Sequence, residues 1–207
     1  MDRSGIVLAI GSHGAFSEDK GTLKLENKPL LNYVVGGLKG LVDEVIIVVD
    51  NEQTMETYSK FASSNARFIV EDSGDLLTAI VKGFEAAQGD YVLLWPFDSP
   101  FVSKDVVSLL FDCGVGKAAI ILRTPDGEIE SLHAVYQKKI ALEAAKAALE
   151  NDEMDFNAVV CKLRGVRYVS TLVLEQIDPD LRTFLRINTP SDLKKATLML
   201  KPRRPKK

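Results

Sequence analysis

The chain alternates short β-branched apolar runs with amphipathic stretches, and this alternation restricts its fold more than any other feature. The runs are apolar on both faces, as in strands buried between helix layers; they are IVLAI (6–10), EVIIVVD (44–50), RFIVED (67–72) and YVLLWPFD (91–98). The intervening stretches have helical periodicity; they are 29–41, 52–64, 75–88 and 103–113. This spacing is typical of βαβ units, so we predict a three-layer, Rossmann-like α/β fold with a mostly parallel sheet.

The second half of the chain has a different pattern. KAAIILRT (117–124) and SLHAVYQ (131–137) flank the turn PDGE, which predicts an antiparallel excursion. The remaining predicted elements are helices over 138–152, 154–165 and 189–200 and a strand over 166–174. Two helix starts carry their own signals, because Pro29 suits a first helical position and Ser103 suits an N-cap.

Length and composition exclude several classes of protein. A chain of 207 residues with 46% apolar and 27% charged residues is typical of one globular domain, which we place at 1–200. No apolar run approaches the roughly 20 residues of a membrane span, so no membrane partner is expected. The N-terminus lacks the parts of a signal peptide, and Cys113 and Cys161 match no metal or redox spacing. We therefore expect a cytoplasmic protein with two packed, reduced cysteines.

The charge of the chain is uneven. Net charge is −3 and the tail KPRRPKK (201–207) contributes +5, which leaves −8 for residues 1–200. An acidic body is atypical of a nucleic-acid-binding protein, so nucleic acid is not an expected partner. We predict that 201–207 is a basic, disordered tail.

In a doubly wound sheet, ligands bind beyond the carboxyl ends of the strands. The loop after the first strand is therefore a candidate binding loop. Gly11 and Gly14 allow close backbone approach to a ligand, and Lys20 supplies positive charge for phosphates. The loop lacks the P-loop and G-x-G-x-x-G patterns. From these residues alone, a phosphate-binding loop and an ordinary connection are equally supported.

The loop after the fourth strand, WPFDSPF (95–101), is more specific. Asp98 follows a buried apolar strand and lies between Pro96 and Pro100, which restrict the backbone. A carboxylate fixed there suits Mg²⁺, which takes one or two carboxylates with phosphate oxygens and water. The alternative, a helix N-cap, is less favoured because Ser103 serves the next helix better.

Other polar residues have weaker signals. Asn51 and Asp72 end neighbouring strands and are candidates for base or ribose contacts, with turn or cap roles as the alternative. A solvated loop residue is expected at His13 and a packed residue at His133. The arginines of the second half are candidate phosphate contacts, with surface exposure as the default; they are Arg164, Arg167, Arg182 and Arg186.

Taken in order, these motifs resemble the molybdenum cofactor guanylyltransferases of the nucleotidyltransferase superfamily. LAIG-SHGAFSE-DKGTLKLENKPLL resembles the family's signature loop, roughly L-A-G-G-x-S-x-R-M-G-x-D-K-x-x-L followed by G-K-P-L. Further along the chain, the matching motifs are VVDN (48–51), VED (70–72), PFDSP (96–100) and INTPSDL (187–193). The similarity extends over about residues 5–197.

The resemblance implies a nucleotidyltransferase fold and transfer of GMP from GTP, or from another NTP in related enzymes, to a phosphorylated acceptor. For this family the acceptor is molybdopterin, the cofactor is Mg²⁺, and other enzymes of the cofactor pathway are candidate partners. The implied catalytic residues are Lys20 and Asp98. Asp98 is the implied metal ligand, with Asn188 a weaker second; the implied nucleotide-binding residues are Leu8, Ala9, Ile10, Gly11, Lys20, Asn51 and Asp72.

The sequence departs from the family pattern at four places. Ile10 and Ala15 stand where the family has a glycine and the signature arginine, SGDLLTAI (73–80) replaces G-P-L-x-G, and Arg186 replaces the first asparagine of N-x-N-T-P. These departures keep alternatives open. They are a cytidylyl, phospholactate guanylyl or sugar-phosphate nucleotidyltransferase, or a degenerate member that binds nucleotide without turnover.

Overall fold

The computed structural model of the chain describes residues 2–11, 16, 19–62 and 66–200. The basic tail, His13, Gly14, Ala15 and Ser17 lie outside the described residues. The strands are β1 (Arg3–Ala9), β2 (Lys24–Leu25), β3 (Lys28–Pro29), β4 (Glu44–Val49), β5 (Ala66–Val70), β6 (Tyr91–Pro96), β7 (Ala119–Arg123), β8 (Ile129–Gln137) and β9 (Val166–Ser170). The helices are α1 (Leu30–Leu38), α2 (Glu52–Ser59), α3 (Leu76–Ala86), α4 (Lys104–Gly114), α5 (Lys138–Glu150), α6 (Phe156–Lys162), α7 (Thr171–Leu174) and α8 (Pro190–Leu200), with a 3-10 turn at Arg182–Phe184.

Seven of these strands form one sheet in the order β5-β4-β1-β6-β8-β7-β9. The first four are mutually parallel, β8 is antiparallel to both of its neighbours, and β7 and β9 are parallel. The predicted α/β fold, with a mostly parallel sheet and an antiparallel excursion in the second half, is confirmed. The short β2–β3 hairpin lies outside this sheet.

Helices cover both faces of the sheet because the strands alternate their side chains between two apolar layers. One layer packs Ile6, Ile46 and Val92 against α3, α5 and α6. The other packs alternate residues of the same strands, such as Val7 and Ile47, against α1, α2 and α4. A third, smaller cluster joins the β2–β3 hairpin, α1 and α8.

Three local predictions were wrong. The apolar stretch after Val166 is a strand only to Ser170, whose hydroxyl then caps α7. Pro29 lies one residue before the first turn of α1 and ends β3, because its extended backbone pairs with Lys24. Cys161 is exposed on α6, whereas a packed residue was predicted; Cys113 is half-buried and packs against the apolar layer on the α4 side, as predicted, and both are free thiols. The Ser103 cap is confirmed, because its hydroxyl accepts from the Val106 amide.

Strand register aligns the carboxyl ends of the parallel strands. Ala9 pairs with Val49, Val49 with Val70, and Leu8 with Pro96. The four loops that follow these strands therefore leave the sheet at one edge, as the sequence predicted.

Candidate active site

A buried cluster of charged side chains lies at this edge of the sheet. The side chain of Asp98 is fully buried and that of Lys20 is 6% exposed. Lys20 Nζ donates to Asp98 Oδ2 and to Asn188 Oδ1, both at 3.0 Å. The cluster also includes Arg186, whose Nε donates to Asp98 Oδ1 at 3.0 Å and whose Nη2 donates to Asp98 Oδ2 at 3.1 Å.

The loop after β6 fixes Asp98 from two sides. Trp95 Nε1 donates to the Ser99 carbonyl at 2.9 Å, and the Phe97 amide donates to the Leu8 carbonyl at 3.2 Å. The Asp98 carbonyl accepts from the Ile187 amide at 2.9 Å. This last bond ties the segment before α8 to the β6 loop, which explains how Arg186 reaches the Asp98 carboxylate and how Asn188 reaches Lys20.

A tight turn presents Lys20 to the cluster. Asp19 Oδ1 accepts from the Gly21 amide at 2.7 Å and from the hydroxyl of Tyr58 on α2. Burial and the bond to Asp19 raise the pKa of Tyr58 above its ordinary value, so this hydroxyl stays protonated. A side chain at residue 21 would lie 2.2 Å from the Tyr58 ring, so only glycine fits there.

An apolar depression adjoins the charged cluster. Its lining includes Leu8 on β1, Ile10 and Gly11 after β1 and Phe97 after β6, and Arg186 also lines it. Gly11 has a φ of 69°, a conformation that glycine adopts without strain. Two other depressions lie around Asp43 and Glu44, at the opposite edge of the sheet.

The remaining predicted nucleotide contacts lie at the same edge but have other local partners. Ala9 is buried in the layer on the α1 side. Asn51 is the N-cap of α2, and its Oδ1 accepts from the Thr54 amide at 2.7 Å. Asp72 is exposed in the turn after β5. Their roles toward a nucleotide stay predictions.

The residue beside Asp72 was missed by the sequence analysis. Glu71 is buried, pairs with Lys82 and accepts from the Ser73 amide at 2.8 Å. Burial alone raises its pKa, but the hydrogen bonds from Lys82 and Ser73 outweigh burial and lower it. The sequence does not show which of Glu71 and Asp72 is buried. The direction of each side chain depends on the backbone conformation after Val70, where β5 ends.

His133 is buried on β8, as expected. Its ring packs edge-on against Trp95, with centroids 4.8 Å apart, and against Phe184 at 5.4 Å. Its Nδ1 lies 3.5 Å from Glu130 Oε2, and neither ring nitrogen makes a hydrogen bond to the part of the chain that the structure describes. Burial lowers the pKa of His133, with the nearby Glu130 opposing it.

The cluster has oxygen donors that Mg²⁺ accepts. Asp98 offers a carboxylate and Asn188 an amide oxygen, and Mg²⁺ commonly uses one or two such groups with phosphate oxygens. Within residues 2–11, 16, 19–62 and 66–200, no three His, Cys, Asp or Glu side chains group to hold a metal alone. The donor set therefore fits a metal that arrives with phosphates and does not fit an all-protein cage.

Comparisons with known proteins show the family to which the chain belongs. The family model described as "MobA-like NTP transferase domain" matches residues 5–162. A "Probable molybdenum cofactor guanylyltransferase" of Methanosarcina mazei is 36% identical over 199 residues, which cover 92% of this chain and 88% of that protein. The chain belongs to the MobA-like NTP transferase family.

Other family relatives and solved structures extend the comparison. The molybdenum cofactor guanylyltransferase of Desulfosudis oleivorans is 28% identical to this family member and covers 96% of each chain. The crystal structure of molybdopterin-guanine dinucleotide biosynthesis protein A from Archaeoglobus fulgidus has a TM-score of 0.80 at 24% identity, covering 95% of this chain and 97% of that one. At this identity the likeness shows the fold. Among the described residues, no helix has the length and apolar character needed to cross a membrane.

Proposed function

We propose that the chain transfers GMP from GTP to the phosphate of molybdopterin and releases pyrophosphate. The observation that carries the proposal is the buried Lys20–Asp98 pair, with Asn188 bonded to Lys20, beside the depression lined by Leu8, Ile10 and Gly11. The names of relatives that align over most of the chain support guanylyl transfer to the molybdenum cofactor. A cytoplasmic location, where nucleoside triphosphates are available, is part of the same proposal.

The reaction is a displacement at the α-phosphorus of GTP. An oxygen of the acceptor phosphate forms a bond to that phosphorus, the bond to the β-phosphate oxygen breaks, and the electron pair leaves with pyrophosphate. The acceptor phosphate is already anionic near neutral pH, so the site needs no strong general base. Catalysis then consists mainly of positioning and charge neutralisation.

The residues of the cluster divide these tasks. Lys20, held by Asp98, Asn188 and the turn at Asp19, places a positive charge where the phosphates meet the sheet edge. Asp98 and Asn188 would hold Mg²⁺, which would supply neutralisation of phosphate charge. The backbone at Leu8 to Gly11, with Asn51 and Asp72, is assigned to the base and ribose.

A substrate panel tests the proposal. The protein is incubated with Mg²⁺, molybdopterin and each of GTP, CTP, ATP and UTP, and pyrophosphate release is measured. We expect release with GTP alone. Release with CTP alone would assign a cytidylyltransferase, and nucleotide binding without release would assign a non-catalytic member. Replacing molybdopterin by 2-phospholactate or a sugar 1-phosphate tests the other acceptors.

Two lysine variants give the panel a matched control. Lys20→Met should lower GTP-dependent release at least about 100-fold, because a charge that stabilises the transition state is lost. Lys24 is an exposed lysine of the β2–β3 hairpin, and Lys24→Met should leave release unchanged. Equal activity of the two variants would remove Lys20 from the catalytic role.

A further inference from the structure

Arg186 forms an ion pair with the carboxylate of Asp98, which is the proposed ligand of Mg²⁺. Its guanidinium contacts both oxygens of Asp98, at 3.0 and 3.1 Å, in the bidentate geometry that makes Arg–carboxylate pairs strong. Lys20 Nζ donates a second hydrogen bond to Asp98 Oδ2 and another to Asn188 Oδ1. In the structure, each of the candidate metal ligands is thus already bonded to a cation of the protein.

The positive charge of the cluster disfavours the binding of a metal ion without a nucleotide. One carboxylate faces two side-chain cations, so the cluster has a formal charge of +1, and a divalent cation would raise it to +3. Like charges this close repel strongly where burial lowers the effective dielectric constant. A triphosphate brings several negative charges and reverses this balance.

The two cations differ in their freedom to move. Lys20 is nearly enclosed, stays bonded to Asn188 and lies near the Phe97 ring. The Arg186 side chain is 45% exposed and also lines the depression beside the cluster. Arg186 can therefore leave Asp98 toward the depression, whereas Lys20 is enclosed by the residues that the structure describes.

We propose that Arg186 is a positioning residue that excludes the metal from Asp98 until nucleotide binds. In the free protein its guanidinium takes the place of the metal at the carboxylate. When a nucleoside triphosphate enters the depression, its phosphates attract the guanidinium away and the metal reaches Asp98 with them. Metal and nucleotide then bind as one unit. This inference rests on the proposed function only in taking a triphosphate as the ligand.

Manganese binding tests the inference without turnover. Free Mn²⁺ is followed by electron paramagnetic resonance, with and without guanosine 5′-(α,β-methylene)triphosphate, in the wild type and in Arg186→Gln. We expect weak Mn²⁺ binding to the wild type alone and strong enhancement by the nucleotide analogue. Arg186→Gln should bind Mn²⁺ alone about tenfold tighter or more, equivalent to ~1.4 kcal/mol.

Two controls locate the effect. Lys139 is exposed in the first turn of α5, at the opposite edge of the sheet, and Lys139→Gln removes one positive charge there. It should leave Mn²⁺ affinity at the wild-type value. Adding Asp98→Asn to Arg186→Gln should abolish the gained affinity, because Asp98 is the proposed ligand. Circular dichroism verifies that each variant is folded.

Several outcomes would overturn the inference. They are equal Mn²⁺ affinity of wild type and Arg186→Gln in the absence of nucleotide, the same gain in Lys139→Gln, or a gain that survives Asp98→Asn. Failure of the proposed function looks different, because it appears as no pyrophosphate release with GTP and molybdopterin, or as a GTP analogue that does not bind the wild type even with Mn²⁺. In that case the comparison of wild type and Arg186→Gln with Mn²⁺ alone still decides the role of Arg186.

Discussion

Lys20 Nζ lies 3.0 Å from Asp98 Oδ2, although 78 positions separate the two residues along the chain. Both side chains are buried, so each charge depends on the other for compensation. Arg186 adds a second cation to the same carboxylate. Substitutions in this cluster should therefore change stability as well as catalysis.

Asp98→Asn should lower the free energy of unfolding by ~3 kcal/mol, because it leaves the buried Lys20 ammonium without a counter-charge. Combining it with Lys20→Met should cost less than the sum of the single changes, since both charges are then gone. Urea unfolding of the wild type, both single variants and the double variant measures this coupling. Asp90→Asn, an exposed control, should stay within about 0.5 kcal/mol of the wild type. Strictly additive losses would contradict a coupled pair.

Gly21→Ala should destabilise the protein by about 1–3 kcal/mol and lower pyrophosphate release, because the new methyl group overlaps the buried Tyr58 ring. Gly36→Ala provides the matched control. That glycine is exposed on α1, where its nearest neighbour would be the flexible end of Lys28 at 3.4 Å. Alanine there should stabilise the helix by about 0.5–1 kcal/mol. Thermal unfolding and the release assay measure both variants, and a Gly21→Ala protein as stable and active as the wild type would contradict the close approach.

Ile187→Ala should lower both stability and activity. Ile187 is fully buried in the cluster that joins the β2–β3 hairpin and α8, and it lies between Arg186 and Asn188. Truncation of such a side chain costs about 2–5 kcal/mol, and loosening this segment should raise the apparent KM for GTP. Leu198→Ala, on the exposed face of α8, should change neither quantity measurably. An unchanged KM for GTP in Ile187→Ala would show that the packing of Ile187 does not affect GTP binding.

The free energy of unfolding should decrease as the pH is lowered below about 6.5, the ordinary pKa of histidine, partly because of His133. Burial lowers the pKa of His133 in the folded state. The unfolded chain therefore takes up a proton before the folded chain does, and unfolding becomes more favourable as pH falls. Below that pH each unit costs up to ~1.4 kcal/mol until the folded-state pKa is reached.

His133→Leu should reduce this acid sensitivity. The free energy of urea unfolding is compared at pH 7.5, 6.0 and 5.0 in the wild type and the variant. Leucine loses some ring packing against Trp95 and Phe184, so an offset common to all three pH values is expected. The decisive quantity is the difference between pH 7.5 and pH 5.0. Equal differences in the two proteins would show that His133 makes no contribution.

The sequence predicted the architecture because the determining signals are local. Runs such as EVIIVVD, which are β-branched and apolar on both faces, favour a strand between two helix layers. Helix caps are also encoded by residues close together in the sequence, as at Ser103. The prediction failed at 171–174, where the apolar residues continue but Ser170 starts a helix, because apolar runs alone do not distinguish short strands from short helices.

For the site, the sequence was enough to identify the candidate residues and the edge of the sheet that they share. Asp98 follows from its position after a buried strand, and Lys20 from the loop after β1. The contacts between these residues became known only from the folded chain. The bidentate Arg186–Asp98 pair, the Tyr58–Asp19 bond and the burial of Glu71 depend on how distant segments pack. Such contacts join residues far apart along the chain, and local propensity contains no information on their distance or direction.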